Sequence, residues 1–149
     1  MSNEERAEVA GTRGSAGVTG FFARFASARE PLDMELLRPL FAQRFLVLDP
    51  GTVMALDRES FLRALPGRER FFASAGAGRS RLTSLCEQIL DARHTLVSTE
   101  WSVPFSSGPA LTLCSSFLLR RSEDDWQIVV YLNHQDLAAA LSARIGLQS

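Results

Sequence analysis

The sequence predicts an α+β domain in which N-terminal helices pack on a curved antiparallel sheet and close it into a cone. Three observations predict it. Apolar residues in the first half recur at helical spacing, as in Phe21, Phe22, Phe25 and again in Phe61, Leu62, Leu65. From Arg81 onward the period becomes strand-like and stays so through four segments joined by short turns. The last segment, Trp126 to Asn133, is rich in β-branched and aromatic residues and apolar on both faces, as a central covered strand would be. Helices first and strands after is the order of an α+β domain.

Residues 1–17 carry almost no bulky apolar side chain and are expected to form a disordered leader, with a single domain over 18–149. The first helix runs from Val18 to Arg29, with the three phenylalanines on one face and Arg24 and Arg29 elsewhere, and Pro31 ends it. Asp33 caps a second helix carrying Leu36, Leu37, Leu40 and Phe41, with an irregularity expected at Pro39. Phe45 to Leu48 is a short β-prone run, stopped by the turn signal Asp49-Pro50-Gly51.

Asp57 caps a third helix, which Pro66-Gly67 interrupts or ends; one more helical turn is expected over Arg68 to Phe72, and 73–78 form a small-residue connection. Arg63, Arg68, Arg70, Arg79 and Arg81 read as a solvated helical face and loop, with recognition of an acidic ligand as the lesser alternative. Strands are expected over Arg81–Leu90, Thr95–Phe105, Ala110–Arg120 and Trp126–Asn133. Their hairpin-length turns, at 91–93, 106–109 and 122–125, make an antiparallel meander. Asp136 caps a last helix with Leu137, Leu141 and Ile145 on one face and Gly146 past its end.

Composition removes several classes of function. At 149 residues, 46% hydrophobic, the chain is sized for one domain with a real core. A net charge of −1 with mixed signs leaves no basic stripe, so neither nucleic acid nor a membrane surface is an expected partner. All 16 basic residues are Arg, which excludes Schiff-base chemistry and Walker-type phosphate binding. No apolar run approaches the roughly 20 residues of a membrane span, and the first residues lack a signal-peptide core, so a cytoplasmic protein is expected. Cys86 and Cys114 are isolated and read as buried thiols, and His94 and His134 form no zinc motif, so neither metal nor cofactor is expected.

Strict alternation along the last strand puts Trp126, Ile128, Val130, Leu132 and His134 on one face and Gln127, Val129, Tyr131, Asn133 and Gln135 on the other. Both faces end polar, delivering hydrogen-bonding groups to one end of the sheet, where a pocket could use them. Trp101 shares its face with Val97 and Val103 and is a candidate for the pocket wall. The outer face of the sheet is too apolar to stay wet and implies a second copy of the chain as partner.

The order and spacing of Phe-Ala-Arg-Phe at 22–25, Leu-Phe-Ala-Gln-Arg-Phe at 40–45, Asp49-Pro50-Gly51, Arg58 to Leu62, and Trp-x-Ile-Val-Val followed by His134 resemble the NTF2-like superfamily of cystatin-like fold. That group includes ketosteroid isomerases, SnoaL-type polyketide cyclases and many uncharacterised bacterial proteins. The resemblance implies a conical, mostly apolar pocket for a small apolar molecule and a homodimer through the sheet. The chemical echo is of the isomerases: Asp49 stands before Pro50 where their catalytic base precedes a proline. Their oxyanion donors are not matched, since Phe25 and Phe117 (or Ser116) fall at the comparable places.

Two readings of the candidates therefore stand. Asp49 is either a turn residue bonded to its own backbone or a base whose pKa is raised against Phe21, Phe25 and Phe45. His134 is either a terminal capping residue or a second base. With Trp101, Phe117, Tyr131 and Asn133 completing the pocket, the function is binding of a small apolar molecule, or proton transfer of the isomerase, dehydratase or cyclase type by Asp49 or His134. A protein-interaction scaffold is the third possibility.

Overall fold

The computed structural model describes residues 14–123 and 125–148. Most of the expected leader, residues 1–13, and Asp124 in the last hairpin turn lie outside the described residues, as do the side chains of Ile145 and its neighbours to the C-terminus. The elements are α1 (Ala16–Arg29), α2 (Met34–Leu37) continued by a 3-10 turn (Arg38–Leu40), β1 (Phe41–Asp49), β2 (Thr52–Asp57), α3 (Arg58–Ser74), β3 (Arg81–Ile89), β4 (His94–Val103), β5 (Leu111–Ser122), β6 (Asp125–Asn133) and α4 (Leu137–Gln148).

Helix α1 begins earlier than expected because Ser15 caps it, its side chain accepting from the Val18 N–H. The Ser15 N–H in turn donates to Glu87 Oε1 at 2.8 Å, tying the start of α1 to β3. Asp33 caps α2 as expected, accepting from Glu35 and Leu36 N–H groups. That helix stops after four residues and tightens to a 3-10 turn at Pro39, so Phe41 opens a strand instead of extending a helix. Conversely α3 continues through Pro66 to Ser74. Its N-cap is Asp57, and burial of Phe61, Leu62 and Leu65 holds the face that carries it past the missing backbone donor.

All six strands form one sheet in the order β2-β1-β6-β5-β4-β3. The meander β3 to β6 is antiparallel as predicted. Two features were not: Asp49-Pro50-Gly51 is the turn of a β1–β2 hairpin, and β1 lies parallel to β6, so the sheet is mixed and β6 is central.

Three ladders break register, between Leu82 and Ser84, between Leu118 and Leu119, and between Phe41 and Leu46; such bulges add twist and curl the sheet. The break opposite Leu118/Leu119 makes Val129 an extra residue of β6, because Leu119 pairs with Ile128 and Leu118 with Val130. Strict alternation therefore fails. Ile128 and Tyr131 both turn to the helices, whereas Val130 and Leu132 fall on the outer face with Leu118 and Ser116.

Within the curl sits an aromatic core. Phe22 stacks edge-on against Phe117 at 5.0 Å, Phe25 lies 5.7 Å from Phe117, and Phe41, Phe45 and Phe61 form a second triad at 5.0–5.1 Å. Interlocked rings, edge-on or tilted, fill the narrow end of the cone and confine open space to its mouth. Among the described residues no helix is long and apolar enough to cross a membrane.

Candidate functional site

The mouth of the cone is a run of three adjoining spaces between α1, α3 and the sheet. An outer vestibule of about 360 Å³ is walled by the end of α1 with Pro31 and Leu32, by Glu69, Phe72 and Ala73 of α3, and by Ala77 to Ser80. Val103, Ser80, Phe72 and Arg29 belong both to it and to an inner chamber of about 40 Å³, which adds Arg68, Trp101, Leu113, Ser115, Tyr131 and Asn133. Beyond Tyr131 a last void of about 10 Å³ ends against Phe25, Phe41 and Phe61. That is too tight for more than one water, whereas the chamber admits a group of a few atoms.

Two arginines dominate this space: the sequence reading gave Arg29 no role in a site and held Arg68 mainly as a solvated residue, contact with an acidic ligand being its lesser alternative. Arg29 follows Phe22 and Phe25 by seven and four positions, so it lies on the buried stripe of α1, its guanidinium carbon 5.6 Å from the Phe25 ring centroid. Arg68 follows Phe61 and Leu65 by seven and three positions, stacked on Phe72 at 5.6 Å and facing the Tyr131 ring at 6.0 Å. The signal was the spacing; charge made both look solvated.

Arg29 pairs with Glu69 at 2.9 Å, their side chains only 19% and 25% exposed. Burial opposes the Arg29 charge, but Tyr131 and Glu69 outweigh it and raise its pKa. Arg68 forms no ion pair among the described residues. The Nε atoms of both arginines are buried without a hydrogen-bond acceptor among those residues. Tyr131 is 4% exposed. Burial pushes its phenol up, yet the neighbouring cations of Arg68 and Arg29 bring it below the ordinary tyrosine value.

The remaining predicted site residues divide three ways. Tyr131, Asn133 and Trp101 line the chamber, with Ser115 Oγ donating to Asn133 Oδ1 at 3.1 Å and Trp101 Nε1 donating to Thr99 Oγ1 at 2.9 Å. Phe25 reaches only the last void, and Phe21, Phe45 and Phe117 are core residues that fill the cone instead of lining its open part.

Asp49 and His134 do not converge. Leu48 pairs with Leu132, so Asp49 ends β1 level with the end of β6, but its carboxylate folds back and accepts from the Gly51 and Thr52 N–H groups at 2.8 and 2.9 Å. Those bonds, the Gly51 donor foremost, hold its pKa below the usual carboxylate value, the reverse of what a desolvated base needs. His134 lies on the outer face, its Nε2 2.7 Å from Ser116 Oγ, in a shallow depression shared with Cys86, Cys114, Ser98 and Glu100. The two thiols are half-buried instead of buried, and among the described residues no group of His, Cys, Asp and Glu could hold a metal ion.

No protein-family model matches the sequence, and no curated protein matches it significantly. Solved structures do. An NTF2-like protein of unknown function from Shewanella oneidensis superposes with a TM-score of 0.63 at 13% identity, over 80% of this chain and 97% of that one. An NTF2-like protein with a cystatin-like fold from Novosphingobium aromaticivorans gives 0.64 at 18% identity, over 87% and 86%. A protein of unknown function with a cystatin-like fold from Nostoc punctiforme gives 0.64 at 12%, over 85% and 97%. With helices packed on a curved mixed sheet and these structures as its likenesses, the chain has the NTF2-like, cystatin-like fold.

Proposed function

We propose that this protein binds a small organic molecule in the mouth of the cone, the bulk of the ligand in the vestibule and one end in the inner chamber. The observation that carries the reading is that the two spaces adjoin, sharing Arg29, Phe72, Ser80 and Val103 as walls. The vestibule volume falls in the range of small-molecule sites, and apolar walls with a few convergent polar groups are their usual lining. Proton transfer by Asp49 or His134 has no such support, since neither is among the residues walling these spaces.

Titration with the neutral fluorophore N-phenyl-1-naphthylamine tests it. We expect one site per chain, lost in Ala73→Trp, which fills the vestibule from an exposed position on α3. No binding, or equal binding by Ala73→Trp, would remove the proposal.

We also propose a homodimer through the outer face of the sheet, where the register lines up Leu96, Leu118 and Val130 beside Leu132, all only half-buried in the single chain. Sedimentation at micromolar concentration should show twice the 16.4 kDa of one chain. A single-chain species alone would remove this part.

A further inference from the structure

Building on that reading of the cavity, we infer that its ligand is a monoanion, a small carboxylic acid whose carboxylate enters the inner chamber against Arg68 and Tyr131 while its apolar body stays in the vestibule.

The argument is one of charge and donors. Of the two cations lining the chamber, Arg29 is neutralised by Glu69 at 2.9 Å. Arg68 forms no ion pair among the described residues, and its Nε is buried without an acceptor there. A half-buried guanidinium stacked on rings, its Nε buried without an acceptor, lacks the partner that charges withdrawn from water ordinarily have. One uncompensated positive charge fits one negative charge, and the planar fork of Arg matches a carboxylate in particular.

Around it the other groups are donors. Tyr131 brings a hydroxyl with a proton to give, its ring 6.0 Å from the Arg68 guanidinium carbon. Asn133 spends its carbonyl oxygen on Ser115, which leaves its NH₂ to donate. The carboxylates that line the adjoining vestibule, Glu69 and Glu30, are engaged by Arg29 and Arg79. The rest of the chamber wall is Phe72, Trp101, Val103 and Leu113, so a neutral amide of the same shape gains the apolar contact without the ion pair.

The test compares 1-naphthylacetate with the isosteric 1-naphthylacetamide by calorimetry at neutral pH. The acid should bind at least about tenfold more tightly to the native chain, the effect of a charge-assisted pair in a poorly solvated site. In Arg68→Met that advantage should fall to about twofold or less, and in Arg68→Lys, which keeps the charge but not the fork, it should shrink severalfold. Equal affinity for acid and amide in the native chain would overturn the proposal, and so would an undiminished advantage in Arg68→Met. Should Arg68→Met fail to fold by circular dichroism, Arg68→Lys decides alone, an unchanged acid preference counting against the proposal. Binding of N-phenyl-1-naphthylamine without preference for the acid would sink the anion site and leave the cavity reading standing. Failure of all three compounds to bind would sink both.

Discussion

His134 Nε2 lies 2.7 Å from Ser116 Oγ on the outer face of the sheet, while the adjacent pair Ser115 and Asn133 closes the inner chamber on the other face. One step along each strand thus separates a cavity-lining pair from one that cannot reach the cavity. His134→Gln should leave the affinity for N-phenyl-1-naphthylamine within about twofold of the native value, whereas an effect of tenfold or more would place the imidazole in the site after all.

Asp49 makes its contribution to the fold. Because its carboxylate is held below its usual pKa by N–H donors, it stabilises the folded state above the unfolded value of about 3.9 and loses that contribution as pH falls through the lower folded value. Asp57, bonded to Ser60, behaves alike. Asp49→Asn keeps an acceptor oxygen for the turn but removes the titration, so thermal melts below about pH 4 should show a shallower loss of stability than native protein, with ligand affinity unchanged at neutral pH. A variant that melts like native protein at every acid pH would contradict this assignment.

The chain has a single tyrosine, so absorbance near the phenolate band reports Tyr131 alone. Its ionisation should have a midpoint below the free value of about 10 and move upward in Arg68→Met, as removal of a neighbouring cation requires. A native midpoint above 10 would mean that burial outweighs the two guanidiniums.

Removing Glu69 leaves the Arg29 cation without its partner in a mostly buried position. Glu69→Gln should cost about 1–3 kcal/mol in chemical denaturation, less than the loss of a fully buried partner because both side chains keep some contact with water. Replacing both, as Arg29→Met with Glu69→Leu, should cost less than the single change. A double variant worse than Glu69→Gln would show that Arg29 stabilises the fold by packing more than by charge.

Cys86 and Cys114 stand on β3 and β5 with β4 between them. Two strand spacings put their backbones about 10 Å apart, beyond the roughly 7 Å a disulfide spans. Thiol titration of unreduced protein in denaturant should therefore find both free, and finding neither would contradict the strand order.

Local chemistry settled much of this protein from sequence alone. The helix caps Asp33 and Asp57, the Asp49 turn, and the meander from Arg81 to Asn133 depend on neighbours in the chain, where side chain, backbone and spacing speak directly. The fold class followed from the same patterns. What depended on distant partners was not legible. The parallel pairing of β1 with β6 needs a strand from the other end of the chain, and the Val129 bulge, which turns Tyr131 and Ile128 to one side, exists only against Leu118 and Leu119 of β5. The site itself was decided by this tertiary level. Arg29 and Arg68 share helical stripes with phenylalanines and leucines, but nothing local reveals that a carboxylate on α3 and a phenol on β6 will meet them, making burial of a guanidinium tolerable. Sequence sets where a side chain points along its own element; only the packing of elements decides what it faces.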